Sequence, residues 1–227
     1  MIESFEQTKL AQMRAAHPDW IWNRSDTHAF VAVPGSHESF KTPVEPGNSF
    51  SPGPCSYGVS TWVHVDGRLH APEEKPLSDL HWRWEDGGLP VLISEWAAGP
   101  VAVTSRLFAD GSPALYDIKN YLQVQVENRS TQTQQVKVYL VVRSFGAAGG
   151  RVHSLAMRDD TMLVNGKPLI YLGDRSGKFG ALSYSAGQSD ISTCLHAGIL
   201  PSAPEVVDDS GWASGALEYN ITLPAGA

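Results

Sequence analysis

The chain has few charged residues and no concentration of charge of one sign. Asp, Glu, Lys and Arg make up 18% of the 227 residues, the formal net charge is -7, and the longest charged cluster is Glu73-Glu74-Lys75. Binding to nucleic-acid phosphates needs a basic stripe of Lys and Arg side chains. The sequence contains no such stripe, so we expect no nucleic-acid partner.

Long apolar runs are also missing. No stretch of about 18 apolar residues occurs, so we expect no membrane-spanning helix. The first 22 residues are polar and lack the apolar core of a signal peptide. These absences leave the cellular compartment undetermined.

Metal and cofactor signatures are equally scarce. The two cysteines, Cys55 and Cys194, could form a disulfide or remain free thiols, and neither has neighbours at zinc-ligand spacing. The acidic pairs Asp159-Asp160 and Asp208-Asp209 could bind Ca²⁺ through oxygen, but solvated loop carboxylates are far commoner. The glycine-rich segment 146–150 lacks the Lys-Ser/Thr of a phosphate-binding loop, and no Gly-x-Ser-x-Gly motif occurs. We therefore predict no metal and no cofactor.

The strongest positive signal is alternation between Asn120 and Arg143. Leu122, Val124 and Val126 alternate with polar residues, and after the polar segment 128–131 the alternation resumes through Val136 to Val142. A period of two places alternate side chains on opposite faces of a strand. Two such runs across a short polar turn predict an antiparallel hairpin with one buried face.

Further short strands are predicted on both sides of this segment. Turn signals at Asp66-Gly67, Asp86-Gly87-Gly88, Gly99, Asp110-Gly111 and Asn165-Gly166 separate them. The predicted strands cover residues 57–65, 68–70, 80–85, 89–96, 101–108, 162–164, 168–171, 179–185 and 192–195. Many short strands with regularly spaced turns predict an all-β antiparallel sandwich.

The N-terminal quarter differs from the rest. Residues 3–16 form the only convincing helical pattern, which ends before Pro18. Residues 33–54 are rich in Pro, Gly and Ser, and predict either a long surface loop or short strands broken by turns. We divide the chain into a lead-in over 1–56 and a sandwich over 57–227.

The order of strand motifs resembles a known family. It runs from Gly88-Leu89-Pro90-Val91-Leu92 through residues 101–109 and 124–130 to Ala213-Ser214-Gly215-Ala216-Leu217 and Leu223-Pro224-Ala225-Gly226. Over residues 57–227 this order resembles the N-terminal supersandwich domain, of galactose-mutarotase-like fold, in six-hairpin glycosidases and sugar phosphorylases. In that family the catalytic acids lie on a C-terminal (α/α)6 barrel.

The resemblance implies a supporting role for this chain. It has no series of amphipathic helices that could form a barrel, so the resemblance implies a non-catalytic domain taken from a longer glycoside hydrolase. Such a domain would dock on the barrel and shape its sugar cleft. The expected partners are therefore a carbohydrate and the missing catalytic barrel.

Candidate sugar-contacting residues cluster around the tryptophans. Trp82 and Trp84 share one face of their predicted strand, opposite His81, and Trp96 ends the next strand beside Glu95. Aromatic rings stack on sugars, while neighbouring charged groups hydrogen-bond hydroxyls. His64 lies near the Asp66-Gly67 turn. The candidate substrate-binding set is Trp82, Trp84, Trp96, His81, Glu95 and His64, although core positions for the tryptophans remain the simpler alternative.

Two other functions remain open. An aldose mutarotase or epimerase would need a general acid and a general base, which His64 or His81 could form with a carboxylate. A free-standing carbohydrate-binding module would need only the aromatic surface. No sequence motif fixes a catalytic His–Glu pair, so we predict no catalytic residue in this chain.

Overall fold

Antiparallel strands are the main secondary structure of the protein. A computed structural model describes residues 5–24, 27–37, 41–87, 89–115 and 117–227. Its strands are β1 (Ala29–Val31), β2 (Thr42–Glu45), β3 (Ser49–Phe50), β4 (Gly58–Val65), β5 (Arg68–His70), β6 (His81–Trp84), β7 (Leu92–Ala98), β8 (Val101–Ser112), β9 (Asp117–Asn128), β10 (Gln134–Arg143), β11 (Ser154–Arg158), β12 (Thr161–Val164), β13 (Lys167–Tyr171), β14 (Lys178–Leu182), β15 (Glu205–Val207) and β16 (Ser214–Leu223). The predicted all-β class is confirmed.

The strands form three sheets. The large sheet has the order β1-β2-β3-β4-β10-β16-β14, with β5 also paired to β4. The platform sheet has the order β6-β7-β8-β9, and the small sheet has the order β13-β12-β11-β15. All paired strands within the sheets are antiparallel, as expected for a sandwich-like fold with short connections.

Alternation along the central strands of the large sheet separates two cores. Val63 and Val138 face the platform sheet and pack near Trp96, while Val142 and Leu217 pack with Leu155 and other residues of the small sheet. The opposite face carries Trp62, Tyr139 and Val141, which pack against Ile21, Ile191 and Leu195. The large sheet is thus covered on both faces, and Trp62 lies in a second buried layer.

Two short α-helices accompany the sheets. α1 covers Phe5–Ala16, in agreement with the predicted N-terminal helix, and α2 covers Ile191–His196. The predicted strand at 192–195 is therefore wrong. Asp190 explains the difference, because its carboxylate accepts a hydrogen bond from the backbone N–H of Ser192 and caps the helix. Among the described residues, single-turn 3₁₀ helices occur at Pro72–Glu74, Leu77–Asp79 and Pro113–Leu115.

The predicted hairpin between residues 120 and 143 is also wrong in its pairing. β10 lies between β4 and β16 in the large sheet, whereas β9 pairs with β8 in the platform sheet. The chain therefore crosses from one sheet to the other. The buried side of each strand was predicted correctly, since Val124 and Val126 pack in the same core as Val136 and Val138.

Turn positions were predicted with mixed success. Asp66-Gly67 and Asn165-Gly166 have positive φ at both residues, which is the backbone of a two-residue hairpin turn, and each connects paired strands. Asp110 and Gly111 instead lie inside β8, whose hairpin to β9 contains the 3₁₀ turn Pro113–Leu115. Residues 42–45 and 49–50 form buried strands, so the short-strand alternative for the Pro-rich segment is correct. Cys55 and Cys194 are free thiols.

Candidate functional site

The outer face of the platform sheet carries polar side chains in rows. Leu92, Trp96, Val103 and Leu107 point into the core, so the alternate residues of each strand point outward. Strand register aligns these outward residues across the four strands. The first row is His81, Glu95, Thr104 and Gln125, the second is Arg83, Ile93, Arg106 and Gln123, and the third contains Phe108 and Tyr121.

Ion pairs connect neighbouring rows on this face. Arg83 Nη2 lies 3.5 Å from Glu95 Oε1, and Arg106 pairs with Glu85. Ile93 lies between the two arginines in its row and is nevertheless buried, as expected if their aliphatic stems cover it. Exposed pairs add little stability, but the Arg106–Glu85 pair places one guanidinium group in the row next to the third row.

Phe108 and Tyr121 form a stacked aromatic pair at the third row. Their ring centroids are 5.1 Å apart and their planes differ by 11°. Tyr121 is 44% exposed despite its size. The pair therefore offers a flat apolar surface, with Arg106, Gln123 and the Glu85 carboxylate nearby.

A buried contact fixes the position of this sheet. Trp82 lies on the inner face, and its Nε1–H donates to Asn48 Oδ1 at 3.1 Å. Asn48 is buried in the turn between β2 and β3, and its Nδ2 donates to the carbonyls of Leu92 and Ser105 at 3.2 and 3.1 Å. One side chain thus connects the large sheet to three strands of the platform sheet, and the outer face has a rigid support.

The structure separates the six predicted site residues. His81 and Glu95 are directly opposed on the outer face, while Trp82 and Trp84 lie on the inner face by alternation. Trp96 is buried in the core under the Lys75 ammonium, which is 5.5 Å from its ring centroid. His64 lies on the large sheet. Sequence reasoning missed Arg106, Phe108, Tyr121 and Gln123, although strand alternation already placed Gln123 on a solvated face.

A second group of ionisable side chains surrounds His64. Lys137 Nζ donates to the Gly198 carbonyl at 2.6 Å and lies 3.5 Å from Glu218 Oε2. Tyr139 OH and Asn220 Nδ2 also donate to the Glu218 carboxylate, at 3.1 and 2.8 Å. Burial and the nearby Lys137 charge lower the pKa of His64. The Glu218 charge acts in the opposite direction and raises this pKa, so the imidazole and the carboxylate interact electrostatically.

A groove of about 800 Å³ separates the platform sheet from the small sheet. Its floor is the face of the large sheet that packs against the platform and small sheets, and its sides are β9 and the residues in and after β13. Tyr219 crosses one end and donates a hydrogen bond to the Asp174 carbonyl at 3.2 Å. Three large side chains at its rim are exposed: Tyr121, Leu169 and Tyr171.

The acidic pairs considered for Ca²⁺ have structural partners. Asp208 is fully buried, and its carboxylate accepts hydrogen bonds from Ser183, Ser185, Ser210 and Trp212. Asp160 Oδ2 lies 2.6 Å from Arg175 Nη2. Within the described ranges, no group of three or more His, Cys, Asp or Glu residues could hold a metal ion.

Two sequence comparisons with known proteins gave no match. No protein-family model matches the chain. No curated protein is significantly similar to it. Among the described residues, no helix is both long and apolar enough to span a membrane.

Proposed function

We propose that this chain is a non-catalytic N-terminal β-sandwich domain of a carbohydrate-active enzyme, a glycoside hydrolase, of the galactose-mutarotase-like supersandwich type. The outer face of the platform sheet would bind a saccharide and form one wall of the sugar cleft. The observation that carries this proposal is the stacked Phe108–Tyr121 pair, in which the Tyr121 ring is exposed, in the row next to Arg106 and Gln123. The family assignment rests on the sequence resemblance.

The chemistry of this face suits a sugar. A pyranose has an apolar C–H face that packs on an aromatic ring, and hydroxyls around its edge that need donors and acceptors. Arg106, Gln123 and Glu85 supply both kinds of group within the neighbouring rows. Because ion pairs and strand register hold these side chains in place, little ordering entropy is lost on binding.

Titration with an oligosaccharide panel tests the proposal. We expect Tyr121→Ala to weaken binding about fivefold, since an aromatic contact contributes about 1 kcal/mol. Trp84→Ala is the matched control, because Trp84 is similarly exposed on the opposite face of the same sheet. Calorimetry should give an unchanged Kd for the control. Equal losses in both variants, or no binding by the native chain to any glycan, would contradict saccharide recognition at this face.

The exposed apolar rim of the groove supports docking on a helical catalytic barrel. Leu169 and Tyr171 are 46% and 69% exposed on β13. Exposed apolar clusters of this kind mark protein interfaces more often than isolated apolar residues do. Sequencing the gene beyond the codon for Ala227 tests this part. Paired amphipathic helices are expected there, and an immediate stop codon would exclude the barrel while leaving a stand-alone binding module.

The environment of His64 favours one second candidate, an aldose mutarotase. His64 and the Glu218 carboxylate could exchange protons with a sugar ring oxygen and its anomeric hydroxyl, while the buried Tyr139 OH donates a hydrogen bond to that carboxylate. Polarimetry on freshly dissolved glucose and galactose tests this function. Catalysis that is lost in His64→Ala would support the mutarotase, whereas a native rate equal to that of buffer would exclude it for these sugars.

A further inference from the structure

β9 is a long, regular edge strand. Its ladder with β8 runs without a register shift from Asp117 opposite Ser112 to Asn128 opposite Val101. It is the last strand of the platform sheet in the described part of the chain, and the groove leaves residues 117–122 accessible along its side. Its sequence contains no proline. Such an edge presents backbone N–H and C=O groups that can pair with another strand, except at its end, where the Asn128 N–H already donates to the Ala227 carbonyl at 2.6 Å.

The solvent-facing side chains of β9 are electrostatically self-complementary. In order they are Asp117, Lys119, Tyr121, Gln123, Gln125 and Glu127, and Arg129 follows on the same side because its guanidinium pairs with Glu127. An antiparallel copy centred on Gln123 would place Asp117 opposite Arg129 and Lys119 opposite Glu127. A twofold axis repeats both attractive pairs, which gives four across the strand pair.

The inward-facing side chains fit the same register. Leu122, Val124 and Val126 are only partly buried, whereas the core residues Val103 and Leu107 of β8 are 0% exposed. In the twofold arrangement Leu122 would lie opposite Val124 of the second copy. Pairing would therefore cover apolar surface that β9 now leaves open to the groove.

We infer that β9 pairs with β9 of a second copy, forming a symmetric dimer with one eight-stranded platform sheet. Antiparallel strands lie about 4.8 Å apart, and directly opposed residues of opposite charge attract. In the monomer, Lys119 pairs with Asp117 and Arg129 pairs with Glu127, so these charges are available for exchange across the dyad. The inference is independent of saccharide binding because association is measured without sugar.

Sedimentation velocity of the full chain tests the dimer. Lys119→Glu places a second carboxylate opposite Glu127 at both symmetric positions, so we expect the dissociation constant to rise about tenfold or more. The double variant Lys119→Glu/Glu127→Lys restores opposite charges and should return to within about threefold of the native value. Lys178→Glu makes the same charge change at an exposed position at the start of β14 and is the control.

Three results would overturn the inference. The first is a native chain that stays monomeric at 100 µM, a concentration at which a dimer with a dissociation constant of about one to tens of micromolar is populated. The second is an equal effect of Lys119→Glu and Lys178→Glu, and the third is a double variant as weak as the single one. If Lys119→Glu does not fold by circular dichroism, Glu127→Lys tests the same pair from the other side.

Disulfide trapping tests the register. Position 123 lies on the twofold axis, so Gln123→Cys in a Cys55→Ser background should give a covalent dimer under mild oxidation. Gln125→Cys would lie opposite Tyr121 of the second copy and should remain largely uncrosslinked. Comparable crosslinking at both positions would indicate random collision and contradict the proposed register.

Discussion

At the scale of single residues, Glu73 shows how a charged side chain can hold a buried layer together through hydrogen bonds. Its carboxylate accepts hydrogen bonds from Ser49 Oγ and Ser60 Oγ at 2.7 Å each and from Trp62 Nε1 at 3.0 Å. The Arg143 guanidinium lies over the Trp62 ring, 4.7 Å from its centroid, and pairs with Asp190. Two charged groups therefore fix the position of one fully buried tryptophan.

Removing the Glu73 carboxylate should destabilise the fold. Glu73→Ala leaves three buried donors without their acceptor, and we expect a loss of about 2–4 kcal/mol in the free energy of unfolding. The neighbouring exposed Glu74 is the control, and Glu74→Ala should change stability by less than about 0.5 kcal/mol. Urea titration measures both. Similar values for the two variants would contradict a structural role for Glu73.

The sequence does not reveal this residue because local composition carries no burial information. Glu73 stands in the most charged cluster of the chain, which by pattern predicts a solvated surface. Its three partners come from β3 and β4, more than ten residues away along the chain. The exposed Tyr121 was missed for a related reason, since its aromatic partner Phe108 is on a different strand.

At the scale of elements, the connection between β9 and β10 determines the layering. Asn128 is fully buried, and its Nδ2 donates to the carbonyls of Gln132, Leu223 and Pro224 at 2.7, 3.1 and 2.8 Å. Its Oδ1 accepts hydrogen bonds from the backbone N–H and hydroxyl of Ser130. The Asn128 side-chain amide thus stabilises both the connection between β9 and β10 and the end of β16.

Truncating this amide should weaken the crossing. We expect Asn128→Ala to lower the free energy of unfolding by about 2–3 kcal/mol, because three carbonyls lose their donor. Gln132→Ala is the matched control in the same connection, since its exposed side chain can be removed while its accepting carbonyl stays. Its effect should be below about 0.5 kcal/mol. A loss in Asn128→Ala no larger than in the control would show that the backbone alone sustains the crossing.

Alternation predicted these strands and their buried faces but not their neighbours. A period of two determines which side of a strand faces the core, and it is the same whether two strands pair or oppose each other across a sandwich. Whether two strands pair or oppose each other depends on contacts such as those of Asn128 with residues almost a hundred positions away. The error at α2 has a different cause. It was predicted as a strand because its six residues are too few to show a clear helical period.

At the scale of the whole molecule, two histidines of the large sheet make the stability of the fold depend on pH. Burial is the main cause that lowers the pKa of both His64 and His70, with Lys137 contributing at His64 and Lys75 at His70. Both side chains lie on the paired strands β4 and β5. The folded protein therefore binds these two protons less readily than the unfolded chain.

This difference predicts acid sensitivity in a defined window. The histidine contribution is fully present above the unfolded pKa of about 6.5, and is lost as the pH falls through the lowered folded values. The thermal midpoint should therefore decrease between pH 7.5 and 5. A His64→Gln/His70→Gln variant should show a smaller decrease, while the exposed control His28→Gln should follow the native curve. An unchanged slope in the double variant would refute the assignment.

The general class of the molecule was accessible from sequence, while the arrangement of its surfaces was not. Turn chemistry and alternation are local, and they predicted the all-β architecture together with most strand positions. The outer face of the platform sheet needs the register of four strands, since Arg83, Ile93 and Arg106 become neighbours only through pairing. Candidate sites on sheets are therefore harder to predict than the strands that carry them.

The burial of Asn128 has a consequence for recombinant production. Asn128-Arg129-Ser130 is an N-glycosylation sequon, and eukaryotic secretory cells attach glycans to such sites on newly made chains. A glycan on this amide would remove its hydrogen bonds and could not fit in a fully buried position. The sequon at Asn220-Ile221-Thr222 is exposed at its acceptor, so a glycan there has room, although the same nitrogen donates to Glu218. A bacterial cytoplasmic host therefore suits this chain better than a secreting yeast or mammalian cell.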